Sequence, residues 1–150
     1  MFTNIIQEIL VRDLGKLRAE IEAYQDEKNL WIVSGQVSNS AGNLCLHLMG
    51  NLNNYIGKEL GGTSYVRNRP LEFSQKDIAR NELLQMIDQT IIVVKTSLEQ
   101  LDPAALEQDY PDPVFGYTVS TGHMLVHLTA HLAYHLGQIN YHRRLLDKTN

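Results

Sequence analysis

Residues 123–135 read HMLVHLTAHLAYH, with histidine at every fourth position: His123, His127, His131 and His135. Only six histidines occur in the 150-residue chain, so most of them lie in this run. Two imidazoles four residues apart on a helix project from one face and form a natural two-point ligand for a metal ion. A step of four residues drifts by about 40° around the helix and rises about 6 Å. With His131 at zero, His135 lies at about +40°, His127 at about −40° and His123 at about −80°. A neighbouring pair can therefore share one ion, and all four cannot. The competing reading is a structural polar stripe. It requires a hydrogen-bond partner for each buried imidazole.

Two ligands rarely hold an ion, and in a helical protein a third comes from a facing helix. His47 is the leading candidate. It stands alone in a second helical segment, on a face shared with Leu44, Asn51 and Asn54. Asn51, one turn later, either orients a ligand or packs between helices. Cys45 precedes His47 by two, which sends it to nearly the opposite side of a helix, so it reads as a small packed residue. His142, beside Arg143, reads as solvated. Gly137 sits mid-helix, where glycine costs about 1 kcal/mol against alanine. That predicts a close backbone contact with a neighbouring helix or ligand. Tyr117 and Tyr134 are candidate pocket walls. Arg67 and Arg69 in YVRNR either receive a substrate carboxylate or phosphate or pair with nearby acids such as Glu72.

Four amphipathic segments must position these residues. The first, about 3 to 25, repeats Ile6, Leu10, Leu14, Leu17, Ile21 and Tyr24 at helical spacing. The second, about 40 to 60, carries Leu44, His47, Leu48, Leu52, Tyr55 and Ile56 and stops at Gly61–Gly62. The third starts at Ser74, where Ser74 and Asp77 resemble a capping box, and continues through Leu84, Ile87, Ile91, Val94, Leu98 and Leu101. Its TIIVV has strand propensity, which the helical spacing on either side outweighs. The fourth, about Ser120 to Asp147, holds the histidines. Its apolar arc, Leu125, Leu132, Leu136 and Ile139 beyond the histidine side with Met124, Leu128 and Leu145, is wider than one helix seam needs. That width allows for a second subunit. The connection DPAALEQDYPDPVFGYTVS is long enough to expect an ordered course. Four such helices predict an all-α four-helix bundle in a single domain spanning 1–150.

Composition narrows the function classes. A formal net charge of −4 argues against nucleic acid and anionic membrane as partners. One cysteine excludes an internal disulfide and points to a reducing compartment. No apolar run approaches the roughly 20 residues of a membrane span. MFTNIIQEILVRD has acids and amphipathic spacing, without the basic region and cleavage site of a signal peptide. The expected location is cytoplasmic. HLAYH lacks the glutamate of zinc-protease HExxH, no Glu-x-x-His supports a di-iron site, and no glycine-rich phosphate loop is present.

A lone histidine on the second helix followed by HLTAHLAYHLGQI resembles the DinB-like superfamily, as does the H-x-x-x-H-x-G-Q element formed by His131, His135, Gly137 and Gln138. HLMGNLNNYIGKELGGTSYVRNRPLEF is similar to an uncharacterised subfamily within it. The resemblance covers nearly the whole chain. It implies an up-down-down-up four-helix bundle with long ordered connections, frequently a homodimer, with a three-ligand divalent metal site. Carried onto this chain, the ligands are His47, His131 and His135. His127, Asn51, Gln138 and Tyr134 become supporting or pocket residues, and Arg67 and Arg69 become candidate substrate-binding residues. Zinc or nickel suits three imidazoles best, and iron is compatible. Characterised relatives include thiol-dependent S-transferases. The expected activity is thiol S-transfer or hydrolysis on a small thiol or electrophile. The rival reading is a non-catalytic metal that clamps the helices.

Overall fold

The computed structural model describes residues 1–148 of the chain. Among these it is all-helical, with five α-helices and no β-strand: α1 (Phe2–Ala23), α2 (Ala41–Leu52), α3 (Arg69–Ser74), α4 (Arg80–Glu99) and α5 (Thr121–Leu146). α1 packs against α4 and α5, and α2 packs against the same two helices. The predicted stripe of α1, Ile6, Leu10, Leu14, Leu17, Ile21 and Tyr24, is buried along its whole length. No helix is long and apolar enough to cross a membrane.

α2 is buried on every side, because α3, α4 and α5 all pack on it. Ser40 caps its first turn by accepting from the Asn43 amide at 3.1 Å. Cys45 is fully buried, as its position on α2 predicted, and burial pushes its thiol up to about 12. Beyond Leu52 the helix widens into a π-helical turn, Asn53–Lys58. Asn53 stabilises the change by donating its side-chain amide to the Met49 carbonyl and to Thr90 Oγ1, both at 2.8 Å. Gly62, at φ +66°, then takes the left-handed conformation that ends the segment.

The start of the third long helix differs from the sequence reading. Ser74 ends the short helix α3, Asp77 is left-handed at φ 58°, and α4 begins only at Arg80. The Ser74–Asp77 pair is therefore no capping box. Ala79, at the N-cap, offers no side-chain acceptor, and the Arg80 amide is met at 3.2 Å by a carboxylate oxygen of Glu27. A cap supplied from 53 residues away leaves no local signature. α3 itself forms inside the connection after α2, started by the Asn68 cap and Pro70.

The connection from 102 to 119 is ordered, as its length predicted. Asp102 caps a 3₁₀ turn, Pro103–Glu107, and the Tyr110 amide donates to the Val119 carbonyl at 2.8 Å. Tyr110 is buried and its hydroxyl donates to the Tyr55 carbonyl at 2.6 Å, which ties the connection to the π-helical turn. Ser120 then caps α5 by accepting from the His123 amide.

Two expectations for α5 are corrected. Among the described residues, a side chain added at Gly137 would meet nothing within 4 Å, so no neighbouring helix explains this glycine. His142 is buried, and both ring nitrogens are engaged. Tyr24 Oη lies 2.7 Å from its Nδ1, and its Nε2 lies 2.8 Å from the Ile32 carbonyl. The chain after Ala23 folds back over the end of α5, which covers a position that spacing alone left in solvent.

Candidate metal centre

α5 presents His131 and His135 one turn apart, and α2 presents His47 opposite them. The three imidazoles offer ligand atoms that all lie within 4.8 Å of one another. His131 Nε2 stands 3.2 Å from His47 Nε2 and 3.2 Å from His135 Nε2. A tetrahedral zinc ion with Zn–N bonds of about 2.0–2.1 Å would place its nitrogen ligands about 3.3 Å apart. The three side chains are thus gathered at the spacing of a shared ion. His47 is buried, while the α5 pair is half-buried.

The outer nitrogens of two of the rings are held. His47 Nδ1 lies 3.0 Å from Glu72 Oε1, and His135 Nδ1 lies 2.7 Å from Gln138 Oε1. Each Nδ1–H donates to its oxygen, which leaves the Nε2 lone pair facing inward. His131 Nε2 therefore meets two lone pairs at 3.2 Å, and one N–H there can serve only one of them well. Nor is an extra proton favoured. Burial, with His135, His47, His127 and Arg67 nearby, pushes the His131 pKa down to about 3. Burial also pulls His135 down, against the opposing effect of the hydrogen bond it donates to Gln138. Three imidazoles whose nitrogens converge in this way could hold a metal ion. His131 Nδ1 is buried without a protein partner, so its tautomer is the one of the three that no neighbour sets.

Glu72, on α3, was named by the sequence only as a possible partner of the arginines. It is buried and bonds one of the two: Arg67 Nε and Nη2 reach its two oxygens at 2.8 and 2.9 Å. Arg67 Nη2 also lies 3.5 Å from His47 Nδ1, but a ring nitrogen that donates to Glu72 cannot accept from Arg67. Burial alone would raise the Glu72 pKa, and the hydrogen bonds from His47 and Arg67 outweigh it and hold the carboxyl below its usual range. Gly50, on α2, makes room for this group: a Cβ there would stand 2.6 Å from Glu72 Cδ. Asn43 anchors the same segment by donating to the Glu72 and Gln75 carbonyls. Arg69 lies over the Phe73 ring, 5.4 Å from its centroid, and Phe73 in turn packs on His47 at 5.0 Å.

The remaining predicted residues take these places. His127 stacks against His131 at 6.0 Å and meets Phe115 edge-on at 4.7 Å. Burial, then the charge of His123, lowers its pKa. Asn51 is buried one turn after His47, and its side-chain oxygen has no hydrogen-bond partner. Tyr134 is mostly exposed, with its ring 5.2 Å from that of His135. Tyr117 is exposed and packs on Phe115 rather than on a ligand. His123 is exposed and takes no part in the three-imidazole cluster.

Among known proteins, the family model described as "Protein of unknown function (DUF1572)" matches residues 5–150. No curated protein matches the chain.

Proposed function

We propose that this chain, which belongs to the DUF1572 family, is a divalent-metal-dependent enzyme of the thiol S-transferase or hydrolase type. The observation that carries the reading is the convergence of the His47, His131 and His135 ligand atoms within 4.8 Å. Three imidazoles satisfy a zinc or nickel ion only in part, and catalytic sites keep a position open in this way. A divalent ion held there would supply Lewis acidity to a thiol or a water molecule at that position. The protein's own part is orientation and proton handling. Glu72 and Gln138 keep the Nε2 lone pairs of His47 and His135 turned inward. His127, whose pKa burial lowers, stands on the adjacent turn of α5 as a proton acceptor.

The packing of α1 and α2 on both α4 and α5 supports a DinB-like four-helix bundle of the up-down-down-up type in one domain. A cytoplasmic homodimer is part of the same reading. A metal that only clamps α2 to α5 is the rival, and it rests on the same cross-helix placement.

Elemental analysis of untagged protein tests the site, with about one divalent ion per chain expected. Metal-free protein that takes up no zinc, nickel or iron on titration would overturn it. A screen of thiols with electrophiles, and of simple esters and amides, then separates enzyme from clamp. Tight metal binding with no turnover favours the clamp.

A further inference from the structure

A concave cleft of ≈ 760 Å³ runs along the C-terminal half of α5 beside the segment 34–39, and His135 forms part of its wall. That volume is in the range of pockets that enclose small organic ligands. Its apolar surface comes from Val37, Leu44, Tyr134, Tyr141, Leu145 and Leu146. Its polar groups are the side chains of Gln36, Asn39, Gln138, two serines and two histidines, and no Lys, Arg, Asp or Glu lines it. Of the cations close by in sequence, Arg143 bonds Glu20 at 2.7 Å, and Arg144 lies over the ring of the wall residue Tyr141 at 5.3 Å without itself lining the cleft. Neither Arg67, which is committed to Glu72, nor Arg69, which lies over Phe73, lines the cleft. A substrate anion held within this cleft would lose hydration with no counter-charge in the wall itself to replace it.

We infer that the cleft binds the body of an uncharged, largely apolar small molecule whose neutral polar head lies at the His135–Gln138 end. This deepens the metal-dependent reading above and rests on it for the link to chemistry. Gln138 connects the two: its Oε1 takes the His135 hydrogen bond, and its side chain is also cleft wall. The arginines that the sequence offered as receivers of a carboxylate or phosphate are therefore not where the substrate body lies.

The test is an amide-resolved NMR titration of metal-free and zinc-loaded protein with 1-butanethiol, 1-hexanethiol and 6-mercaptohexanoate. Saturable shifts are expected at residues 34–39 and 134–146. Hexanethiol should bind roughly tenfold more tightly than butanethiol, from two further buried CH₂ groups. The carboxylate should bind at least about tenfold more weakly than hexanethiol. Leu145→Asp, at an exposed position, should weaken both neutral thiols and leave the fold intact. Equal or tighter binding of the carboxylate, no gain with chain length, or shifts outside the cleft would overturn the inference. So would a Leu145→Asp variant that sediments as a monomer where the parent is a dimer and neither binds thiol. That result would assign the cleft to an interface between copies. Failure of zinc to bind counts against the metal site alone, because the metal-free titration still decides the cleft.

Discussion

Glu72 Oε1 lies 3.0 Å from His47 Nδ1, and Arg67 grips the same carboxylate through both of its oxygens. The carboxylate sets the tautomer and ring orientation of the only ligand candidate on α2. Replacing Glu72 by glutamine keeps the size and removes the charge. Outer partners of metal-binding histidines are worth about 10–100-fold in affinity. Zinc affinity, read by competition with a chromophoric chelator, should fall by that amount in E72Q. An unchanged affinity would mean that Glu72 serves only to pair Arg67.

Gly50 should tolerate no side chain while Glu72 is in place. A Cβ would stand 2.6 Å from Glu72 Cδ, and the carboxylate cannot swing away without breaking its bonds to His47 and Arg67. Overpacking of this kind costs about 1–3 kcal/mol. G50A should lower the denaturation midpoint accordingly. In a double-mutant cycle the same substitution should cost clearly less on an E72A background. Additive costs would show that the two residues do not collide.

Chelation should loosen the joint between α2 and α5. An ion present at 100 times its dissociation constant adds about 2.7 kcal/mol to stability. For a chain of this size that corresponds to a fall in Tm of roughly 5–10 °C on chelation. The difference should vanish in H47A and persist in H123A, since His123 is exposed and outside the cluster. Loss of the difference in H123A as well would argue for an ion bound elsewhere along the α5 run.

His142 predicts a pH dependence separate from the metal. Burial pushes its pKa below the ordinary value, against the bond to the Ile32 carbonyl and the charge of Asp147. The unfolded chain therefore takes up the proton first. The contribution of neutral His142 is fully present above about pH 6.5 and is lost as pH falls from there toward the folded-state value. In metal-free protein, urea melts across that window should give a shallower slope for H142Q than for the parent. The difference is at most about 1.4 kcal/mol per pH unit. Parallel slopes would indicate that the unfolding reaction takes up no proton at His142.

Some of this was legible before any coordinates. The α1 stripe, the burial of Cys45 and the ordered 102–119 connection follow from local period, helix angle and length, and each is observed. Other features had no local signal. The Glu27 cap of α4 comes from 53 residues away, and Glu72 reaches His47 across 25 residues from a helix of six. Spacing alone leaves His142 in solvent, because its partners, Tyr24 and Ile32, lie 118 and 110 residues earlier.

The sequence by itself determined that only neighbouring members of the histidine run can share an ion, because every α-helix drifts by about 40° over four residues. That rule treats the three adjacent pairs alike. The choice of His131 and His135 was decided by packing, which sets α2 against α5 so that His47, 84 positions earlier than His131, arrives 3.2 Å from its Nε2. Helical angle is a property of each residue's own backbone, whereas a contact across the chain exists only once the core has closed and positioned both helices.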